Sequence, residues 1–228
     1  MSHSTIAFIC FLLTIGCYYL SKYLHRRFKK VWLIPLVSVP LVLVAIVVSL
    51  NISYTDYINE SHWLIWMLGP ATVAFAVPVH ENRNIIKRHW MSISAGVVVA
   101  IITAISSTVY LSKLFHLSEI LQRSLSVRSI TTPFAVEASK SIGGQADLTA
   151  IFVVLTGVFG IICAEVILGV IKIRSPHGKG AGLGASAHGS GTAIAYGIHN
   201  EAGTVASLVM LFSGVVTVLI APLLTWIF

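Results

Sequence analysis

Six apolar runs, each close to the length of a membrane-crossing helix, decide what this chain can fold into. They fall at roughly 4–21, 31–50, 63–79, 91–111, 148–171 and 204–227. About 20 residues of helix span the hydrocarbon core of a bilayer. Composition agrees: only 10% of the 228 residues are charged and 56% are hydrophobic, whereas a soluble domain carries about 25% charged residues. The expected fold class is all-α. It is a polytopic integral membrane protein of one domain, 1–228, with about six full spans plus two broken or re-entrant helices.

The charges orient the spans. Eleven of the fifteen Lys and Arg lie in three short stretches, Lys22 to Lys30, Arg83 to Arg88 and Lys172 to Lys179. That clustering is the positive-inside pattern rather than a nucleic-acid stripe, so the net charge of +7 implies no nucleic-acid partner. The apolar run Ile6 to Tyr19 has no positive charge before it and five after it, the reverse of a cleaved signal peptide. It reads as a retained first span with the N-terminus outside. Loop 51–62, with Asp56 and Glu60, is then outside and loop 80–90 inside. Both ends of 112–147 fall outside, so this segment is expected to dip into the membrane and return. The glycine-rich 181–203 is either re-entrant or a broken crossing, which leaves the side of the C-terminus open. Cys10, Cys17 and Cys163 sit in apolar runs without metal spacing and read as small buried hydrophobes.

Two stretches carry chemistry. In Ser129 to Gly144, Thr131 or Thr132 suits an N-cap, Pro133 suits the first helical turn, and Gly143-Gly144 suits a stop. A helix start within or near the membrane offers free N–H groups and a partial positive charge to an anion. Arg128 adds a full charge and can grip both oxygens of a carboxylate. The alternative is an ordinary capped helix in an external loop. Glu137, one turn on, is a proton-coupling candidate or a partner for Arg128 or Lys140. The second stretch, His177 to Ala193, belongs to a region where eight of the seventeen glycines lie between Gly178 and Gly203. Gly178/Gly182 and Gly180/Gly184 permit close helix approach. Ser186, His188 and Thr192 lie where the chain could unwind towards a ligand, or simply pack tightly. Glu165 sits inside an apolar span, as a functional carboxylate or as a partner of Lys172. No metal site and no cofactor motif is visible. No nucleophile–base–orienter set is visible either, so an enzyme is not expected.

Together the motifs resemble the LrgB/CidB (YohK-like) membrane protein family. They are S-L-S-V-R-S-I-T-T-P-F-A-V-E followed by G-G-Q-A-D-L-T-A, and K-I-R-S-P-H-G-K-G-A-G-L-G-A-S-A-H-G-S-G-T-A. The stretch L-G-P-A-T-V-A-F-A-V-P matches a third family segment, and its likeness to T-T-P-F-A-V hints at an internal inverted repeat. Val127-Arg128 replaces the family's Pro-Lys, keeping the charge and losing a kink. The resemblance implies an inner (plasma) membrane protein linked to control of murein hydrolase activity and autolysis. It also implies a small holin-like partner of the LrgA/CidA type. Relatives in plastids carry glycolate and glycerate, and bacterial ones are linked to pyruvate. The function expected is therefore transport of a small monocarboxylate, with Arg128, Thr131, Thr132 and Pro133 on one side of the site and Ser186, His188 and Thr192 on the other. Glu137, His188 and Glu165 are the proton-coupling candidates. An oligomer is expected. The rival expectation is a non-transporting antiholin-like regulator that acts through its partner.

Overall fold

Proline and small polar residues, more than charge, set where the helices begin. Pro35 and Pro176 open their helices and Pro133 sits in the first turn of its own, where a missing N–H leaves no bond unmade. Ser53 caps another start by accepting the Asp56 N–H, and Ser175 caps the helix that Pro176 opens by accepting the Gly178 N–H. The structure is a computed structural model and describes residues 3–28, 30–74, 76–171 and 173–227. Its elements are α1 (His3–Phe28), α2 (Pro35–Ser49), α3 (Tyr54–Trp66), α4 (Leu68–Ala74), α5 (Ala76–Glu81), α6 (Arg83–Leu114), α7 (Glu119–Ser126), α8 (Thr132–Ser141), α9 (Ala146–Val170), α10 (Pro176–Ile198) and α11 (Asn200–Leu224), with a 3-10 turn at Val31–Leu33. All regular structure among the described residues is helical.

Among the described residues, five stretches are long and apolar enough to cross a membrane: Thr5–Phe28, Tyr54–Glu81, Arg83–Leu114, Ala146–Val170 and Asn200–Leu224. This is a multi-pass membrane protein. The remaining apolar run, 31–50, forms only the 15-residue α2, about 22 Å at 1.5 Å per residue, short of a ~30 Å core. The expected loop 51–62 is instead mostly helix, because Ser53 caps α3 well ahead of the apolar run. Phe75, part of the suggested repeat, and Lys172 lie outside the described residues, as does the side chain of Glu165.

The chain divides into two compact units, 1–71 and 72–228. In the first, α1 packs on α2 and α3. Polar ties between apolar helices hold it: the Thr14 and Tyr57 hydroxyls meet at 3.0 Å, and the Ser21 hydroxyl meets the Ser38 hydroxyl at 2.5 Å and the Leu33 carbonyl at 3.0 Å.

In the second unit α6, α9 and α11 form a frame for two hairpins. The first is α7–α8. Arg123 in α7 donates to the carbonyl of Ile142 beyond α8 at 3.1 Å, and the Ser112 hydroxyl near the end of α6 reaches Gln122 at 3.4 Å. The hairpin therefore enters and leaves beside the C-terminal end of α6. Its arms are about 12 and 15 Å long, half a bilayer core. Residues 112–147 thus dip and return, as the charges demand.

The second hairpin is α10, whose helical path breaks at His188 (φ 51°, ψ −127°). In an unbroken helix residues 183 and 191 would stand about 12 Å apart. Here a Cβ on Gly191 would strike the Leu183 carbonyl, so the chain folds back on itself at His188. After His199 it turns again into α11, which runs parallel to the first arm: Gly180 abuts Ala202 and Gly184 abuts Ala206. Residues 181–203 are therefore re-entrant. The His89 and His177 rings stack at 4.3 Å, so this hairpin starts beside the N-terminal end of α6. The basic stretches around Arg83–Arg88 and Arg174–Lys179 accordingly share one end of the unit, as the positive-inside reading requires. The C-terminal Leu224 packs with Val127 and Ile142 towards the opposite end.

Candidate anion site where two hairpins meet

Each hairpin is held by a different local chemistry. At the foot of the first, the Ser139 and Thr149 hydroxyls meet at 2.7 Å, and the single Thr149 proton is shared between the carbonyls of Gln145 (3.0 Å) and Ser124 (3.3 Å). The Gln145 N–H donates to Ser124 Oγ at 2.9 Å. Gly143, at φ +74°, makes the turn that ends α8, where a side chain would also crowd Arg123. The second hairpin is held against its neighbours mainly by close contact. A Cβ on Gly180 or Gly184 would run into the carbonyls of Ala202 or Ala206. A Cβ on Gly160 in α9 would stand 2.7 Å from that of Ala187. Between helices in lipid, such close packing supplies attraction that the hydrophobic effect does not.

These devices bring the two apices together. The His188 imidazole interacts with the backbone of Ser129 and lies within electrostatic reach of Arg128. His188 is 4% exposed, and its Nε2 has no hydrogen-bond partner. Thr192 donates to the His188 carbonyl at 2.9 Å and touches the Met210 sulfur at 4.0 Å, which stabilises the fold-back from behind. Arg128 Nη1 donates to Ser129 Oγ at 3.0 Å.

Two cavities open at this meeting point. The larger, about 610 Å³, runs along the small-residue face of α6 and is lined by Arg128, Ser129, Thr156 and Ser186. The smaller, about 370 Å³, is bounded by Leu125, Phe152, Phe159 and Cys163, with Arg128, Thr156 and Ser186 again in its wall. Both volumes suit a small-molecule pocket. The same three polar side chains thus border both spaces.

The expected site residues divide into groups. Arg128 and Ser186 line the cavities, and His188 and Thr192 support them from the buried side. Thr131, Thr132 and Pro133 build the start of α8; they are half-buried, and none borders either cavity. Glu137 is on the outer face, its side chain 65% exposed and paired with Lys140 at 2.8 Å. Two further histidines of this region lie elsewhere: His177 sits 3.6 Å from Glu201, and His199 caps α11. Cys163 is exposed towards the smaller cavity, a correction to its reading as a buried hydrophobe, while Cys10 is buried. Sequence reasoning missed Thr156 and Ser129. A lone threonine in an apolar span carries no signal of its own, whereas Ser129 could have been flagged as the neighbour of Arg128.

No solved structure matches the chain. Among curated proteins it is 36% identical to the uncharacterized protein YwbG of Bacillus subtilis, over 96% of this chain and 97% of that one. It is 30% identical to the antiholin-like protein LrgB of Bacillus subtilis, over 92% of each chain. It is 28% identical to the holin-like protein CidB of Staphylococcus aureus, over 97% of each. With the LrgB-like family profile matching residues 14–227, and these relatives aligned end to end, the chain belongs to the LrgB-like family.

Proposed function

We propose that this protein carries a small monocarboxylate, of the pyruvate or glycolate kind, across the plasma membrane. The observation that supports this most is the convergence of two opposed re-entrant hairpins on one arginine that borders two cavities. Half-helices that end near mid-membrane are a common way for secondary transporters to hold substrate. Arg128 is the carboxylate clamp, steadied by Ser129. The start of α8 at Thr131, Thr132 and Pro133 adds its positive dipole end. Ser186 and Thr156 offer hydroxyls to the rest of the substrate, and His188 with Thr192 fixes the facing apex. Because Arg128, Thr156 and Ser186 wall both cavities, small movements of the apices would give them access from one space and then the other. His188 is the proton-coupling candidate in reach of the clamp, ahead of the outward-facing Glu137. Glu165 remains a third candidate. The basic end of the second unit is cytoplasmic, which sets the C-terminus outside.

A second reading has its own support in the names of the relatives. As an antiholin-like or holin-like protein, the chain would regulate murein hydrolase activity in a complex with a small LrgA/CidA-type membrane protein and would move no substrate.

Uptake of labelled pyruvate and glycolate into proteoliposomes, under an imposed pH gradient and with or without the small partner, separates the two. The transport reading expects saturable uptake that falls about 10- to 100-fold in Arg128→Ala, the worth of a hydrogen bond to a charged group. Dye leakage that needs the partner, without uptake under any condition, would favour the regulator.

A further inference from the structure

A third cavity lies beside the α7–α8 apex and has the volume of a single small ligand. It measures about 10 Å³, close to the least space that admits one water. Its polar lining is four hydroxyl groups, on Ser126, Ser129, Ser213 and Thr217, and no titratable side chain borders it. Ser213 is 2% exposed, and its Oγ has no hydrogen-bond partner. Ser126 gives its proton to the Arg123 carbonyl at 2.7 Å, and Ser129 Oγ accepts from Arg128, so both retain lone pairs. Helix α7 ends at this point. Among the described residues no backbone N–H reaches the carbonyls of Ser126 or Val127, which leaves the negative end of the helix facing the apex region.

We propose that this cavity is a sodium site. The donors are neutral oxygens, the ligands of a hard cation. A space of about 10 Å³ holds one ion without water of hydration, which favours the shorter oxygen bonds of sodium over the longer ones of potassium. Ends of broken helices with free carbonyls are suited to such ions. Since the Arg128 guanidinium stands just across Ser129, a cation here repels it. An anion in the adjoining cavity removes that penalty, so cation and anion favour each other's binding. The site goes beyond the transport reading by naming a second ion, one that is not a proton.

The test is the thermal unfolding midpoint of the purified full-length chain in sodium, potassium and choline chloride at equal concentration, where chloride serves as the anion throughout. A saturable rise of a few degrees in sodium alone is expected. Ser213→Ala and Thr217→Val should each erase that rise. Ser213→Ala should also keep the midpoint in choline, since removing an unpartnered buried hydroxyl costs little. Equal midpoints in the three salts would mean an ordered water only and overturn the proposal. A sodium response that survives both substitutions would place the ion elsewhere and overturn it too. Pyruvate added in choline chloride reports on the carboxylate reading alone, so either idea can fail without the other.

Discussion

The two hairpins perform the same task with opposite materials. The α7–α8 hairpin opens through five residues between Ser126 and Thr132, and hydroxyls secure its foot: Ser124, Ser139 and Thr149 share one network. The α10 hairpin reverses on one residue, His188, and glycines hold it against α9, α11 and its own return arm. Hydrogen bonds tolerate small movements because their length and angle have latitude. A glycine against a carbonyl has none. For the proposed transport, the hydroxyl-bound hairpin that carries Arg128 is expected to be the one that moves, and the glycine-packed one the fixed wall.

Substitutions can sharpen or break that contrast. The largest effect is expected from Gly184→Leu, whose side chain meets backbone that can yield only by separating α10 from α11. It should cost more than about 3 kcal/mol, beyond ordinary overpacking, and leave little monodisperse protein in detergent. Gly197→Ala, with nothing within 4 Å of a new Cβ, is the control and should stabilise by about 1 kcal/mol at most. If both behave alike, the fixed-wall idea is wrong.

A middle-sized effect is expected at the other hairpin. Thr149→Val leaves the buried Ser139 and the Ser124 carbonyl short of a partner and should cost about 1–3 kcal/mol in denaturant unfolding. Uptake should weaken with it, because the apex loses its tether. A stable variant with normal uptake would remove the hydroxyl network from the account.

His188→Gly separates strain from function. The backbone there lies in a region that glycine enters freely and that costs other residues about 1–3 kcal/mol. Stability should therefore hold or rise by about 1 kcal/mol while uptake is lost with the imidazole. A variant that transports normally would leave His188 as a turn residue only. The smallest effect belongs to Glu137→Gln. An exposed pair with Lys140 is worth no more than about 0.5 kcal/mol. Neither uptake nor its pH dependence should change, and a lost pH dependence would restore Glu137 as the proton carrier.

What the sequence alone determined follows from strong local rules. Thr131, Thr132 and Pro133 announced the start of α8, and Gly143 its end, because a proline's fixed φ and a glycine's positive φ need no distant partner. The clustering of basic residues put Arg83–Arg88 and Arg174–Lys179 at one end, since the membrane reads charge from outside the fold. From those two facts the dip of 112–147 followed. Only the tertiary structure decided that 181–203 turns back at His188, that Arg128 meets it there, and that Thr156 and Ser213 border the cavities. Lipid tails and helix interiors are equally apolar, so hydropathy cannot tell the buried face of a span from the lipid-facing one. A single hydroxyl in α9 or α11 acquires meaning only when another helix brings it a partner.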